Sequence, residues 1–372
     1  MKQARRWWWI VAAALLFGPA VPSAHAKFSA EEIRIGTETA KEIEKGSKLV
    51  TDEAILKRVN EIGQEIVRVS PDPTEKYVFK VIEDKDINAF ALPGGFVYIY
   101  TGLLNAVESD DELAGVIAHE ISHAALHHGL KLTKRQKPWD IAQMAVVLAG
   151  ALANKDTSSG AYALSVLNTA KLNGYTVELE KEADAAGLKM ITQSKYNPVG
   201  MLTFMERLDR SESRTGASVV ELGIFRTHPY TPDRARALRA GLNNANIEIN
   251  RRLTTRSIQA IAESVKIRDV EAAVVKIDGG VFVTLAPSEG APALERARSV
   301  AEAVNRSLLA NLRFQEVTAS AAAPVIQGRG ITLAELTDAD AALVNKTPAD
   351  AARSAASQLK DTLWREYLRT HS

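Results

Sequence analysis

Residues 119–129 read HEISHAALHHG, so four of the chain's seven histidines fall within ten positions. The stretch closes the longer run SDDELAGVIAHEISHAALHHG. That run opens on Ser109 with Glu112 three residues on, the pattern of a capping box, and ends on Gly129, a residue suited to a helix C-cap. One helix carrying His119 through His128 is therefore expected, set in mainly apolar sequence. Residues four apart share a helix face, so His119 and His123 can aim both imidazoles at one ion. Glu120 lies one residue round from His119, near enough to meet a water beside that ion without ligating it. The plainer reading is a histidine-rich core helix, because HExxH arises by chance in roughly one chain per hundred of this length. The rest of the sequence has to decide.

A tetrahedral catalytic zinc takes three protein ligands and keeps a fourth position open. The segment YTVELEKEADAAGLKMITQ reads as a helix that stops before Tyr196-Asn197-Pro198. It offers Glu178, Glu180, Glu182 and Asp184. Glu180 and Asp184 share a face, so one can ligate while the other accepts a hydrogen bond from a ligand histidine. A solvated acidic helix face is the plainer reading of the same four acids. His127 follows His123 at the ligand spacing, but four successive turns cannot converge on one tetrahedral ion, and it is read as a non-ligand.

The 372 residues, 46% hydrophobic and 24% charged, describe a globular protein of two or three domains. The first 26 residues stand apart: a basic start, MKQARR, an apolar run, WWWIVAAALLF, and Ala24-His25-Ala26 as a small-x-small cleavage site. This is the layout of a secretory signal peptide, with the mature chain beginning near Lys27. Eleven apolar residues are too few to span a bilayer. The absence of cysteine excludes disulfides, a thiolate nucleophile and a lipid-modified N-terminal cysteine. An exported chain of this kind relies on its core alone, and a bacterial periplasm is its natural setting. Losing Lys2, Arg5 and Arg6 takes the formal charge from +1 to −2, and no basic stripe points to a nucleic acid.

Residues 28–69 read as two helices, capped at Ser29 and Thr51. In KYVFKVIEDKDINAFALPGGFVYIYTGLL, the stretches YVFKVIE and GFVYIYT read as two antiparallel strands, with Pro93-Gly94-Gly95 as a turn. Residues 130–174 form a long connection with a basic loop, KLTKRQKPWD, and an apolar run, Ile141–Ala153, read as a core or lid helix too short to cross a membrane. Beyond residue 250, AAVVKIDGGVFVTLAP reads as a hairpin turned at Asp278-Gly279-Gly280. PALERARSVAEAVNRSLLANL reads as a helix, VIQGRGITLAEL as a strand and TPADAARSAASQLKDTLWREYL as a last helix, with no 34-residue helical repeat. The expected fold class is α+β. A mostly helical zincin-type domain with a small antiparallel sheet occupies residues 27–250, and an α/β module occupies 251–372.

Four motifs occur in order: NAFALPGGFVYIYTGLL, HEISH with ELEKEAD some sixty residues on, KYNPVGMLTFMERL, and THPYTPDRARAL. Together, across Phe28–Leu242, the chain resembles the zinc metallopeptidases of the CAAX prenyl endopeptidase type, HExxH gluzincins, and especially their soluble periplasmic BepA-like members. Their E-x-x-A-D pattern is supplied by Glu180-Lys181-Glu182-Ala183-Asp184. The resemblance implies one zinc ion per chain on His119, His123 and Glu180, with Glu120 as general base and a zinc-bound water as nucleophile. It gives Asp184 the task of orienting a ligand histidine. Where the family often has Arg-His after HExxH, His128 matches and His127 replaces the arginine, which questions a local salt bridge.

His228 either stabilises the oxyanion or fills the open position at rest; a structural His-Pro turn is the plainer reading. The strand through Phe96, Val97 and Tyr98, with Asn88 just before it, offers an edge on which an extended substrate pairs, set against a plain sheet strand. By resemblance, the work is hydrolysis of misfolded or misassembled envelope proteins in the periplasm, free or peripheral to a membrane. Residues 251–372 then bind substrate or dock to an envelope protein complex. The alternative is a latched or non-catalytic zinc protein acting as a chaperone-like quality-control factor.

Overall fold

The computed structural model describes residues 27–134, 176–215, 228, 231–320 and 323–371. The expected signal peptide and the apolar run Ile141–Ala153 lie outside the described residues. Helix α1 (Ala30–Gly46) begins at Ser29 in a complete capping box: the Ser29 hydroxyl accepts the Glu32 N–H, and the Glu32 carboxylate accepts the Ser29 N–H. Helix α2 (Glu53–Arg68) starts one residue later than expected. Asp52, not Thr51, caps it, taking the N–H groups of Ala54 and Ile55, where a carboxylate also gains from the helix dipole.

Three strands come next, β1 (Val78–Ile82), β2 (Ala89–Leu92) and β3 (Phe96–Tyr100), in the order β1-β3-β2. The two strands expected to be antiparallel, β1 and β3, run parallel. The antiparallel partner of β3 is β2. Gly94 and Gly95, at φ 76° and 85°, fold the chain straight back from β2 onto β3. That tight turn claims one edge of β3 and leaves β1 the other.

This corrects the assignment of Phe96, Val97 and Tyr98 to a substrate-pairing strand. β3 is central, both its edges are bonded, and Val97 and Tyr98 are fully buried, with the Tyr98 hydroxyl on Glu44. Asn88 closes the sheet instead, its carbonyl accepting the Tyr100 N–H at 3.0 Å. Leu49 bridges the outer side of β1. Among the described residues, no strand pairs with the outer side of β2.

After α3 (Thr101–Ala106) comes α4 (Asp110–Ala125), capped by the Ser109 hydroxyl. Glu112 completes only half of the expected box, since its carboxylate takes the Glu108 N–H and the Arg207 guanidinium. Every residue from Glu112 to Ala124 is buried, so α4 is enclosed on all sides. It stops at Ala125, short of Gly129. His127, at φ 54°, breaks the helix, and His128 opens a new one, α5 (His128–Lys134). The expected single helix through His128 is therefore two. The cause is tertiary: Glu32 of α1 holds the His127 Nδ1 at 2.6 Å, so the helix-breaking residue is fixed from ninety-five positions away.

Helices α6 (Val177–Ile191) and α7 (Val199–Thr215) pack against α4 together with α2, and α8 (Pro232–Asn244) packs on α6 and α7. Leu113, Ile117, Ile121, Ile191, Leu202 and Leu238 fill the space between them. Gly115 lets α7 approach closely, for a Cβ there would lie 2.7 Å from the Met201 Cα.

A second core gathers residues 258–363 around β4 (Ala260–Ile267), β5 (Val270–Ile277), β6 (Gly280–Leu285) and α9 (Ala293–Leu309). A second antiparallel sheet, β7 (Val317–Ala319), β8 (Val325–Gly328) and β9 (Ile331–Glu335), precedes α10 (Asp338–Leu343) and α11 (Pro348–His371). The hairpin at Asp278 forms as expected. VIQGRGITLAEL is two strands, not one, because Arg329 and Gly330 at φ 52° and 76° supply a two-residue turn. Among the described residues, no helix is long and apolar enough to cross a membrane.

Glu206 ties α7 to α8 and to the chain beyond it. Its buried carboxylate takes Arg239 of α8 at 2.6 Å and Arg251 at 2.7 Å. Burial opposes ionisation, but the two guanidinium groups hold its pKa below the ordinary carboxylate value. That stabilisation is present above the unfolded pKa and is lost as pH falls through the folded one. Glu206→Ala is expected to cost about 2–3 kcal/mol in urea unfolding at neutral pH, with the difference shrinking in acid.

Candidate metal centre

Helix α4 sets His119 and His123 one turn apart, and α6 brings its acids against them where Gly187 lies close beneath the His119 backbone. Glu180 and Asp184 are buried, which rules out the solvated-face reading for these two; Glu182 turns outward, 46% exposed. The His119 Nε2 and His123 Nε2 face each other at 3.0 Å. The His228 Nδ1 lies 3.2 Å from the first of them and 3.0 Å from the Glu180 Oε1. Glu180 stands 3.3 Å from His119 and 3.4 Å from His123. Ligand atoms of His119, His123, Glu180 and His228 all fall within 4.8 Å of one another.

Ionisation is strained in this cluster. Burial pulls His119 down, yet hydrogen bonds to Asp184 and Glu180 lift it to about 10. Burial, together with the neighbouring charges of His119 and His228, pushes His123 well below its ordinary value. Burial works against ionised Glu180, but the three histidines hold its carboxyl far below the carboxylate range. Asp184 accepts the His119 Nδ1–H at 2.9 Å, and Arg234 clasps its two oxygens at 2.7 and 2.8 Å. Against the cost of burial, these partners hold Asp184 at about 2. Arg234 also meets the Glu180 Oε2 at 2.6 Å.

Three imidazole nitrogens and a carboxylate meeting at such distances suit a divalent cation of the zinc type, which takes nitrogen and oxygen donors in tetrahedral sites. Glu120 fits the same arrangement. It is buried, its Oε1 is 3.5 Å from the His228 Nε2, and among the described residues neither of its oxygens has a hydrogen-bond partner. A buried carboxylate with bare oxygens is costly unless a proton-bearing ligand meets it. A cavity of about 50 Å³ opens here, with Val116, Met201, Phe204, Met205 and Leu208 as apolar walls and His119, Glu120 and His228 at its polar end.

The structure thus brings together His119, Glu120, His123, Glu180, Asp184 and His228, and leaves Asn88, Phe96, Val97 and Tyr98 in the sheet. His127 is not among the converging donors; its Nδ1 lies 2.6 Å from the Glu32 Oε1. The sequence reading missed Arg234, although it lies in THPYTPDRARAL. It also missed the contact of His128 with His123, 2.9 Å between the two Nδ1 atoms. Only the order of that motif, not any spacing, marked Arg234.

Such a donor set on crossed helices belongs to the zinc metallopeptidases as a class. The chain belongs to peptidase family M48, whose profile matches residues 54–241. It is 30% identical over 190 residues to the mitochondrial metalloendopeptidase OMA1 of Schizosaccharomyces pombe, covering 51% of this chain and 54% of that protein. It is 28% identical over 210 residues to the beta-barrel assembly-enhancing protease of Escherichia coli K12, covering 55% of this chain and 42% of the relative. With the metalloprotease LoiP of the same organism it shares 30% over 162 residues, 43% of this chain and 61% of that one. The matches span about half the length of these relatives.

Proposed function

We propose that this protein is a zinc-dependent endopeptidase with kinship to the CAAX prenyl endopeptidase type, acting in the periplasm on misfolded or misassembled envelope proteins. The carrying observation is the cluster of four donors within 4.8 Å beside the buried Glu120 carboxylate, whose oxygens accept no hydrogen bond among the described residues. The name of the Escherichia coli relative, a beta-barrel assembly-enhancing protease, supports an envelope substrate.

In this reading His119, His123 and Glu180 would hold the metal, with His228 near enough to serve as a fourth donor at rest. A zinc ion held there would acidify a water molecule and polarise the scissile carbonyl. Glu120 takes the proton of the attacking water on a carboxylate oxygen and delivers it to the leaving amine nitrogen. Asp184 accepts the His119 Nδ1–H and so keeps the Nε2 lone pair inward. The open side of β2 takes an extended backbone by hydrogen bonding, and the apolar cavity takes the side chain next to the scissile bond. Residues 1–26 are a cleaved export signal, and residues 251–372 bind substrate or an envelope complex.

Zinc titration with a stability readout tests the metal. Zinc at 100 times its Kd is expected to raise the unfolding free energy by about 2.7 kcal/mol and to support cleavage of an unfolded protein, both reversed by EDTA. His228→Ala should still bind one zinc, more weakly. A chain whose stability and cleavage ignore both zinc and EDTA would refute the proposal.

A further inference from the structure

The two ligand histidines have their outward nitrogens on different partners. The His119 Nδ1 meets a carboxylate, Asp184, while the His123 Nδ1 meets another imidazole, His128, at 2.9 Å. The far nitrogen of His128, Nε2, lies 3.2 Å from the Glu182 Oε2, and Lys131 lies 3.4 Å from the same oxygen. We propose that His128 and Glu182 are positioning residues that fix the proton of His123 on its outward nitrogen and thereby hold its inward lone pair on the metal. This rests on the zinc reading above.

The hydrogen-bond roles come from chemistry. A carboxylate only accepts, so the His128 Nε2 carries a proton and donates to Glu182. Two ring nitrogens 2.9 Å apart share one proton between them. With the His123 Nε2 lone pair on a metal, its Nδ1 bears the proton, and the bare Nδ1 of a neutral His128 receives it. The relay therefore runs from His123 through His128 to Glu182, each link donating outward. It mirrors the His119–Asp184 pair, in which Arg234 backs the acceptor.

The helix break makes this contact. In an unbroken helix a residue five positions on is rotated by about 140° from its predecessor, off the ligand's face. His127 at φ 54° turns the chain so that His128 comes back under His123, fully buried.

Competition with a chromogenic chelator, on the full chain, reads zinc affinity directly. His128→Leu keeps the bulk and removes the acceptor, and is expected to weaken zinc binding about 10- to 100-fold. His128→Asn puts a carboxamide oxygen near the position of Nδ1 and should recover most of that loss. Glu182→Ala, at a half-exposed position that tolerates change, should weaken binding by about three- to ten-fold. Circular dichroism confirms that each variant is folded. Parent affinity in folded His128→Leu would overturn the relay, as would His128→Asn as weak as the leucine variant, since only volume would then matter. Where the His128 variants do not fold, Glu182→Ala decides: parent affinity there overturns the relay. A parent chain that takes no zinc would instead remove the zinc reading beneath it.

Discussion

Glu120→Gln is expected to keep one zinc per chain and to cleave an unfolded protein about 10²–10⁴-fold more slowly than the parent. The replacement is nearly isosteric, and among the described residues neither oxygen of Glu120 accepts a hydrogen bond, so only its 3.5 Å approach to the His228 Nε2 changes character. Glu120 is outside the converging donor set, so the metal should stay. What disappears is basicity: a carboxamide cannot take the proton of water and pass it on. The measurement pairs kcat/KM with metal content and thermal unfolding. A variant within about tenfold of the parent would put the base elsewhere, since a positioned acid–base group is worth at least about 10² in rate.

Arg234→Met should be the most damaging single change to stability, about 3–5 kcal/mol in urea unfolding of the metal-free protein. Arg234 is 4% exposed, bonds both oxygens of Asp184 and touches Glu180. Burial opposes its charge, and the two acids hold it ionised. Methionine keeps most of the volume while leaving two buried carboxylates short of their cation. Asp184, held at about 2 in the folded chain, contributes stability above its unfolded pKa that is lost as pH falls towards 2. With Arg234 gone, that loss should begin at higher pH. Zinc affinity should fall as well, because Asp184 orients His119. A cost under about 1 kcal/mol, the scale of an exposed ion pair, would contradict this.

The heart of the site was legible because helix periodicity alone puts His119 with His123 and Glu180 with Asp184. Burial of the two acids then needed only the crossing of α4 and α6. The parts that escaped depend on residues distant in sequence. Glu32 holds His127, just past the end of α4, from ninety-five positions away, so the contact that accompanies the break and the return of His128 had no local sign. Arg234 reaches Asp184 across fifty positions. β1 and β3 were legible but mispaired, and β2, the antiparallel partner of β3, escaped: alternation and the Pro-Gly-Gly turn identify strands without saying which edge β1 joins. β4 and the split of VIQGRGITLAEL escaped because hairpin pairing, more than composition, makes those segments strands.

The most direct measurement is the metal content of the purified full chain and of Glu180→Ala by elemental analysis, beside cleavage of an unfolded protein. One zinc per chain with cleavage in the parent, and loss of both in Glu180→Ala, is the predicted result. A parent without zinc, or a Glu180→Ala chain with unchanged zinc and cleavage, would contradict the account.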